Sequence, residues 1–212
     1  MAAIRMSADD RREQIINVAA ELFAQQGFKG TTTRQIAAEA GITEALVYRY
    51  FSTKKSLYSA IIAHKTSETT VWDFTNIKDA MITRDDRQVF IAAAVTILET
   101  TRKDPGLMRL LLYSALEDHQ LSNLFFQSQI TNLVRVLADY ISTRISDGEF
   151  DETDPMLAAR GFLGMINHQV LMREIFKHQA YLQHSIQELA DSYAALFLDG
   201  VRLKSHKVVA GV

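Results

Sequence analysis

The chain has no cysteine, only two prolines and nine glycines among its 212 residues. Without cysteine there can be no disulfide, cysteine-ligated zinc or thiol chemistry, and this absence fits a cytoplasmic protein. Scarce proline and glycine disfavour turn-rich β-sandwiches but suit long helices, and 48% of the residues are hydrophobic, enough for a large core. The composition therefore predicts an all-α protein.

Long hydrophobic runs are also missing. Residues 1–13 contain no apolar segment of the signal-peptide kind, and no later run approaches the roughly 18 consecutive apolar residues that a membrane span needs. We therefore expect a soluble, unexported protein with a cytoplasmic location and no membrane partner.

Motifs for catalysis and metal binding are absent as well. A di-iron site in a helical bundle needs Glu-x-x-His pairs, but the residues three positions before four of the histidines are Leu116, Met165, Ile175 and Tyr181. The sequence contains no Gly-x-Ser-x-Gly motif, phosphate loop or Rossmann glycine pattern. We expect no enzymatic activity, no cofactor and no metal.

Charge is distributed unevenly along the chain. The formal net charge of −2 argues against a protein that coats nucleic acid indiscriminately. Residues 1–64 carry eight basic against six acidic side chains, whereas the remainder carries 15 against 19. This mild asymmetry favours the N-terminal part as the part that meets a polyanion.

Capping signals predict about nine helices. The first runs from Ala8, after the cap Ser7, to Gln26, where Gly27 stops it. Three more follow the caps Thr32, Thr43 and Thr53, and we expect the last of these to continue from residue 54 to about 79. Five further helices are predicted at about 85–103, 106–117, 121–147, 154–178 and 181–203, the fourth with Asp154 as its cap and Pro155 at its first position. A tail over 205–212 lacks periodicity and is expected to fray.

The second and third predicted helices form a helix-turn-helix pattern. They are short and joined by Gly41, Ile42 and Thr43, and such a unit can place the N-terminal end of its second helix in a major groove. Small side chains allow the helices to cross closely, and apolar ones fill the wedge beside the first helix: Ala37, Ala38, Ala40, Ile36, Ile42 and Val47. Of the adjacent aromatics Tyr50 and Phe51, Phe51 is the better core residue because it has no hydroxyl to satisfy.

These residues carry a family resemblance. The segment from Thr33 to Thr43, followed by 47–51, Lys54 and Leu57, resembles the DNA-binding domain of TetR/AcrR-type transcriptional regulators. The resemblance implies a three-helix helix-turn-helix DNA-binding domain over 1–55 and a larger helical effector-binding and dimerisation domain over 56–204. Many members have glycine two residues after the cap, where this chain has Ala45, so the resemblance implies the fold but not the detailed base preference.

The resemblance also implies DNA-contacting residues. Thr33, Tyr48, Tyr50 and Lys54 correspond to phosphate contacts, and Arg34, Glu44 and Ala45, next to the cap Thr43, correspond to base-edge contacts. Their chemistry agrees with these roles, because arginine matches guanine, a carboxylate accepts from cytosine and a methyl group meets thymine. Two alternatives stay open: Arg34 as a solvated charge, and Glu44 as a solvent-facing or regulatory residue.

The last two predicted helices suit dimerisation. One short recognition helix reads too few base pairs, so such proteins pair on palindromic sites. The apolar stripes that we assign to the interface comprise Gly161, Phe162, Met165, Gln169, Met172, Leu189, Tyr193 and Phe197. The alternative is that these stripes pack entirely within one subunit.

The middle helices are rich in adaptable and aromatic side chains, where the resemblance implies an effector cavity. The candidates are Trp72, Phe90, Met108, Leu112, Tyr113, Leu116, Phe125, Phe126, Asn167 and His168. A methionine or aromatic stripe is more often plain core, and this alternative stays open for each of the apolar candidates. Asn167, His168 and Gln169 are three polar residues together in an apolar helix, and they can orient a ligand or bond across a dimer seam.

Together these observations predict a homodimeric regulator that binds double-stranded DNA at a palindromic operator. By the resemblance, it is a repressor released by a small, hydrophobic effector, although the sequence leaves activation open. We expect the continuous helix over 54–79 to connect Lys54 at the DNA with an effector near Trp72 and Phe74.

Overall fold

The computed structural model describes residues 6–67, 73–116 and 131–202. These ranges contain ten α-helices and no β-strand, so the all-α prediction is confirmed. None of the helices is both long and apolar enough to cross a membrane. In chain order, α1 to α10 are Ala8–Gly30, Thr33–Glu39, Glu44–Tyr50, Lys54–Ser67, Thr75–Ile82, Asp86–Lys103, Pro105–Leu116, Thr131–Ser146, Pro155–Val170 and Ile186–Val201.

The chain divides into two compact units. The described part of the first unit is 6–67 with 103–116, and that of the second is 73–102 with 131–202. The first unit therefore contains α4 and α7 in addition to α1, α2 and α3. The predicted boundary at residue 55 separates a DNA-binding part from an effector-binding part. Packing alone does not test such a functional boundary, so it stays a prediction.

The first unit has an aromatic core around α1. This helix packs against α2, α4 and α7, and the ring of Phe23 lies 5.0 Å from that of Tyr58 and 5.8 Å from that of Phe28. The buried Tyr58 hydroxyl donates a hydrogen bond to the carbonyl of Leu110 at 2.7 Å. The Tyr58 side chain thus joins α4 to both α1 and α7.

Most predicted helix starts are present with their caps. Ser7 forms a reciprocal capping box with Asp10, and this bonding lowers the pKa of Asp10. Thr32 forms the same arrangement with Gln35, and the Asp154 carboxylate caps α9 before Pro155. These local signals are reliable because a cap satisfies backbone donors that the first helical turn leaves free.

Three predicted helices have different bounds. The continuous helix over 54–79 is wrong, because α4 ends at Ser67 and α5 begins at Thr75, whose amide is bonded by the Asp73 carboxylate at 2.9 Å. The helix predicted over 154–178 ends at Val170 and gives way to a π-helical turn, Leu171–Ile175. The last helix starts at Ile186 rather than 181, because Ser185 and Glu188 form a capping box. The start predicted near 121 and the tail from 205 lie outside the described residues.

The second unit combines an aromatic centre with a buried ionic group. The rings of Phe90, Phe162 and Phe197 lie 4.6 to 5.3 Å apart and bring together α6, α9 and α10. Beside them, Arg144 of α8 bonds Asp86 of α6 through Nε at 2.8 Å, and the Tyr140 hydroxyl donates to the same carboxylate at 2.6 Å. These contacts join α6 to α8 through charged groups that are almost fully buried.

Candidate nucleic-acid interface

A glycine turn sets the geometry between α2 and α3. Gly41 has a φ of 65°, and the Ile42 amide bonds the Ala37 carbonyl at 2.9 Å. This closed turn needs positive φ, which glycine adopts without steric cost. Ala37 and Ala40 are buried as predicted, whereas Ala38 is exposed and does not line the helix contact.

The apolar wedge positions α3 against the rest of the first unit. Ile36 and Val47 are buried as predicted, and Ile42 is half-buried. Phe51, rather than Tyr50, faces the core, and the Arg12 guanidinium lies 5.3 Å from the centre of its ring. Burial of this one face leaves the N-terminal end of α3 at the surface.

The chain reaches α2 through a bend at the end of α1. Gly27 has a φ of 72° and interrupts the helical backbone, as its predicted role as a stop requires. The fully buried Thr31 hydroxyl donates to the Gly27 carbonyl at 2.9 Å and also contacts the Leu22 carbonyl. These bonds hold the segment that leads into the helix-turn-helix.

Lys54 also bonds the segment that leads into the helix-turn-helix. Its ammonium donates to the carbonyls of Phe28, at 2.7 Å, and Thr31, at 2.8 Å, and lies 4.2 Å from the centre of the Phe28 ring. An ammonium has three donors, and two of them are used in these bonds. Lys54 therefore has a structural role that the sequence did not indicate.

Three of the predicted DNA-contacting residues are bonded to one another. The Thr33 hydroxyl donates to Oε1 of Glu44, and the Tyr48 hydroxyl lies 3.1 Å from Thr33 Oγ1. Because the single hydroxyl hydrogen of Thr33 points to Glu44, Tyr48 must be the donor in the second bond. We call this chain from Tyr48 through Thr33 to Glu44 the hydroxyl relay. Thr33 is buried, whereas Tyr48 is exposed.

The other predicted DNA contacts stand separately on the surface. Arg34 and Ala45 are exposed, and Tyr50 is half-buried. Thr43 caps α3 by accepting a bond from the Leu46 amide at 3.3 Å. Its hydroxyl, the Glu44 carboxylate and the Ala45 methyl group follow one another at the start of α3, where a recognition helix meets base edges.

The relay was not foreseen from the sequence. Thr33 and Glu44 are 11 residues apart and Thr33 and Tyr48 are 15 apart, so no helical periodicity relates them. The available signal was that Thr33 and Glu44 each occupy the first position of their helices. Thr33 is nevertheless at the end of α2 that is remote from the turn, so its contact with Glu44 depends on how the two helices cross.

The effector candidates are distributed over both units. Phe90 lies in the aromatic centre of the second unit, whereas Asn167 and His168 are exposed. On α7 in the first unit, Leu116 is exposed, and the half-buried candidates are Met108, Leu112 and Tyr113. Trp72, Phe125 and Phe126 lie outside the described residues.

The structure has a cavity of about 460 Å³ in the second unit and one of about 480 Å³ in the first, and none of these candidates lines either. Their role as effector contacts stays a prediction.

Several candidates for the dimer interface are core residues of a single chain. Phe162 has no exposed surface, and Leu189, Phe197 and Gln169 are also buried. The Gln169 side chain is bonded within the subunit, because it donates to the Tyr181 carbonyl and accepts from the Tyr193 hydroxyl. Of the remaining candidates, Gly161 is exposed, and those that are half-buried are Met165, Met172 and Tyr193.

Two apolar residues of α9 and α10 that were not among these candidates are exposed. Leu157 of α9 is 66% exposed and Leu196 of α10 is 64% exposed. Gly161 and Gly164 continue the α9 stripe, and a Cβ atom added to either would meet no other atom within 4 Å. We call Leu157, Gly161, Gly164 and Leu196 the outer stripe.

Comparison with known families agrees with this geometry. The fold and the exposed start of α3 define a helix-turn-helix protein, and the model of bacterial regulatory proteins of the tetR family matches residues 15–61. A model of the C-terminal domain of AefR-like transcriptional repressors matches residues 89–200, more than half of the chain. The chain therefore belongs to the TetR family of DNA-binding transcriptional regulators. This family and fold are those of regulators rather than enzymes.

Individual relatives show how far the similarity extends. The nucleoid occlusion factor SlmA of Pasteurella multocida is 32% identical over 119 residues, 53% of this chain and 56% of that protein. SlmA of Actinobacillus pleuropneumoniae serotype 5b is 27% identical over 191 residues, 85% of this chain and 88% of that protein. The chain thus matches about half the length of the former and most of the latter.

A solved structure shares the fold. AibR in complex with isovaleryl coenzyme A and operator DNA has a TM-score of 0.66 and 21% identity to this protein. The similarity covers 88% of this chain and 97% of that chain. At this level of identity the comparison supports the fold alone.

Proposed function

We propose that the protein is a ligand-responsive repressor that binds a palindromic operator in the cytoplasm as a homodimer. The observation that carries this proposal is the start of α3, where Glu44 and Ala45 lie on a recognition helix held at the surface by buried Ile36 and Val47. The exposed Arg34 on α2 adds a cation that suits guanine O6 and N7.

DNA recognition divides into positioning and reading. Thr33, Tyr48, Tyr50 and the third donor of Lys54 would bind phosphates, while Arg34, Glu44 and Ala45, beside the cap Thr43, would contact base edges. Phosphate contacts give affinity without sequence information, whereas each good base contact is worth roughly 1–3 kcal/mol of discrimination.

In vitro selection from a random duplex library tests this division. We expect a palindromic consensus with half-sites about one helical turn apart. Arg34→Ala should relax the preference at one base pair per half-site at a cost of about 1–3 kcal/mol, and Arg87→Ala, a second-unit control, should leave the consensus unchanged. Recovery of no enriched sequence would refute operator binding, and a uniform loss of affinity in Arg34→Ala would assign Arg34 to phosphate.

The second copy of the chain would pack on the outer stripe. The glycines at 161 and 164 leave open space above α9 and thus permit close approach of a partner helix, while Leu157 and Leu196 supply apolar area. In this arrangement Phe162 and Phe197 support the interface from the subunit core instead of contacting the partner.

Sedimentation of matched variants tests the interface. Leu157→Glu and Leu196→Glu should each convert a dimer to a monomer at micromolar concentration, because each buries a charge at the seam. Ile82→Glu is the control, since Ile82 is a similarly exposed apolar residue, 80% exposed, on α5. If all three variants stay dimeric, the two copies pair through another surface.

Effector release would follow from thermodynamic linkage. A ligand that binds the DNA-free state more tightly lowers operator affinity, and a hundredfold effect corresponds to about 2.7 kcal/mol of coupling. AibR, a protein of the same fold, has been crystallised with isovaleryl coenzyme A and operator DNA, which makes that acyl thioester a first probe. We propose that the effector is small and hydrophobic.

Calorimetry with and without the selected operator tests the linkage. Operator DNA must weaken effector binding by the same factor by which the effector weakens DNA binding. Mass spectrometry of protein purified from cells under native conditions would identify a retained ligand if the probe does not bind. Equal effector affinities in the two titrations would contradict release by that compound.

A further inference from the structure

The hydroxyl relay carries an inference about specificity. We propose that Glu44 couples base reading to phosphate binding, because its carboxylate holds the Thr33 hydroxyl until a base donor takes its place. This rests on the proposed DNA-binding function and goes beyond it by giving one residue control over the phosphate contact of another. Glu44 is thereby a specificity-determining residue that acts through a phosphate contact which does not itself read sequence.

Counting the donors shows why the two contacts compete. Each hydroxyl has one hydrogen; that of Thr33 is donated to Glu44, and that of Tyr48 is donated to Thr33 at 3.1 Å. A phosphate oxygen accepts hydrogen bonds and donates none, so neither hydroxyl can bind it while the relay is closed. The hydroxyl hydrogens that would be donated to the DNA phosphates are therefore donated within the protein when DNA is absent.

Charge determines what can open the relay. The Glu44 carboxylate is an acceptor that would lose a charge-assisted bond and would face the phosphates of DNA, which is unfavourable without a new donor. The exocyclic amino groups of cytosine and adenine are the donors that the major groove presents. Glu44 lies at the first position of the recognition helix, where such a group comes within reach.

The sequence of the DNA then decides how many phosphate bonds form. Every base pair carries one such amino group, and its position in the groove depends on the pair. On a site that places this group within reach of Glu44, the carboxylate turns to the base and the Thr33 hydroxyl donates to phosphate. On a site that places it out of reach, the relay stays closed and the protein binds more weakly than its phosphate contacts would allow. One base contact thereby changes affinity by more than its own hydrogen bond.

A double-mutant cycle on the full-length protein tests the coupling. Thr33→Val, Glu44→Ala and the double variant are compared on the selected operator and on a scrambled duplex of equal length at one salt concentration. With Glu44 present, Thr33→Val should weaken operator binding about tenfold and scrambled-duplex binding hardly at all. In the Glu44→Ala background, Thr33→Val should weaken both about equally.

Glu39→Ala controls for charge alone. Glu39 is an exposed acid at the end of α2 in the same unit, so its removal raises affinity for all DNA without touching the relay. The effect of Thr33→Val should therefore be unaltered in the Glu39→Ala background. Circular dichroism confirms that each variant is folded.

The outcomes separate the relay from the wider proposal. If the effect of Thr33→Val on both duplexes is the same in the wild-type and Glu44→Ala backgrounds, the relay does not control the hydroxyls and this inference is wrong while operator binding stands. If the wild-type protein selects no sequence at all, the proposed function itself fails. If Thr33→Val leaves operator binding unchanged, the Thr33 hydroxyl stays with Glu44 in the complex and the inference is again overturned.

Discussion

The helix-turn-helix and the centre of the second unit use charged groups in opposite ways. In the first, Glu44 is bonded by the neutral hydroxyl of Thr33, and Arg34 is exposed at the surface. In the second, Asp86 and Arg144 are paired at 2.8 Å with only 9% of each side chain exposed, and Tyr140 donates a further bond. Surface bonds of the first kind can be exchanged for bonds to DNA, whereas buried ones cannot be exchanged for water at low cost.

The exposed groups of the first unit therefore suit recognition, whereas the buried ion pair of the second unit supports the fold. A buried ion pair contributes little net stability over an apolar pair of equal shape, but it becomes costly when one partner is removed. Arg144 has a further partner, since Asp147 also accepts from its Nη1 at 2.9 Å. The second unit thus has a charged group that cannot lose a partner without a large loss of stability, while the first has groups whose partners change in function.

The largest expected effect comes from removing Arg144. Arg144→Met leaves Asp86 buried without its cation, and we expect the free energy of unfolding to fall by about 3–5 kcal/mol. Arg87→Met breaks the exposed pair with Asp191, 2.8 Å apart, and should cost at most about 1 kcal/mol. Urea denaturation of both variants measures the difference. Equal losses would show that burial does not distinguish the two ion pairs.

An intermediate loss of stability is expected at Lys54. This residue is a predicted DNA contact of the first unit, yet its ammonium bonds backbone carbonyls within the protein. Lys54→Met removes two charged bonds to the carbonyls of Phe28 and Thr31, so we expect a loss of roughly 1–3 kcal/mol in stability. DNA affinity should fall alike for operator and scrambled duplex. Lys55→Met, at an exposed neighbouring position, should leave stability within about 0.5 kcal/mol of wild type. An unchanged melting temperature for Lys54→Met would contradict the structural role.

The smallest expected effect is at Tyr140 and depends on pH. Burial and the bond to Asp86 raise the pKa of Tyr140 above its ordinary value. The unfolded phenol ionises near pH 10, so the stability from the neutral buried form is complete below that pH and is lost as the pH rises further. Tyr140→Phe should cost about 1 kcal/mol at pH 7, and this difference should shrink above pH 10. A difference that stays constant to pH 11 would show that the phenol is not held in its neutral form.

The sequence alone predicted the parts of the molecule that depend on neighbours a few residues away. The caps Ser7, Thr32, Thr43 and Asp154 and the turn at Gly41 are where they were expected. A cap acts through a bond to an amide two or three residues on, and positive φ is a property of one residue. The same local reasoning failed near Asp73, whose carboxylate bonds the first amide of α5, and at the cap Ser185, because apolar periodicity had merged or misplaced the helices that begin there.

The tertiary structure alone decided which side chains meet across helices and which apolar stripe remains exposed. Phe162 and Leu157 lie on the same helix and are both apolar, yet one is buried and the other is 66% exposed. Periodicity identifies a helix face, but the helices packed against it decide whether that face is core or surface. In the same way Asp86 and Arg144 are 58 residues apart and Thr33 and Glu44 are 11 apart. Their bonds form because packing brings the helices together, a long-range condition that residue types and spacing do not contain.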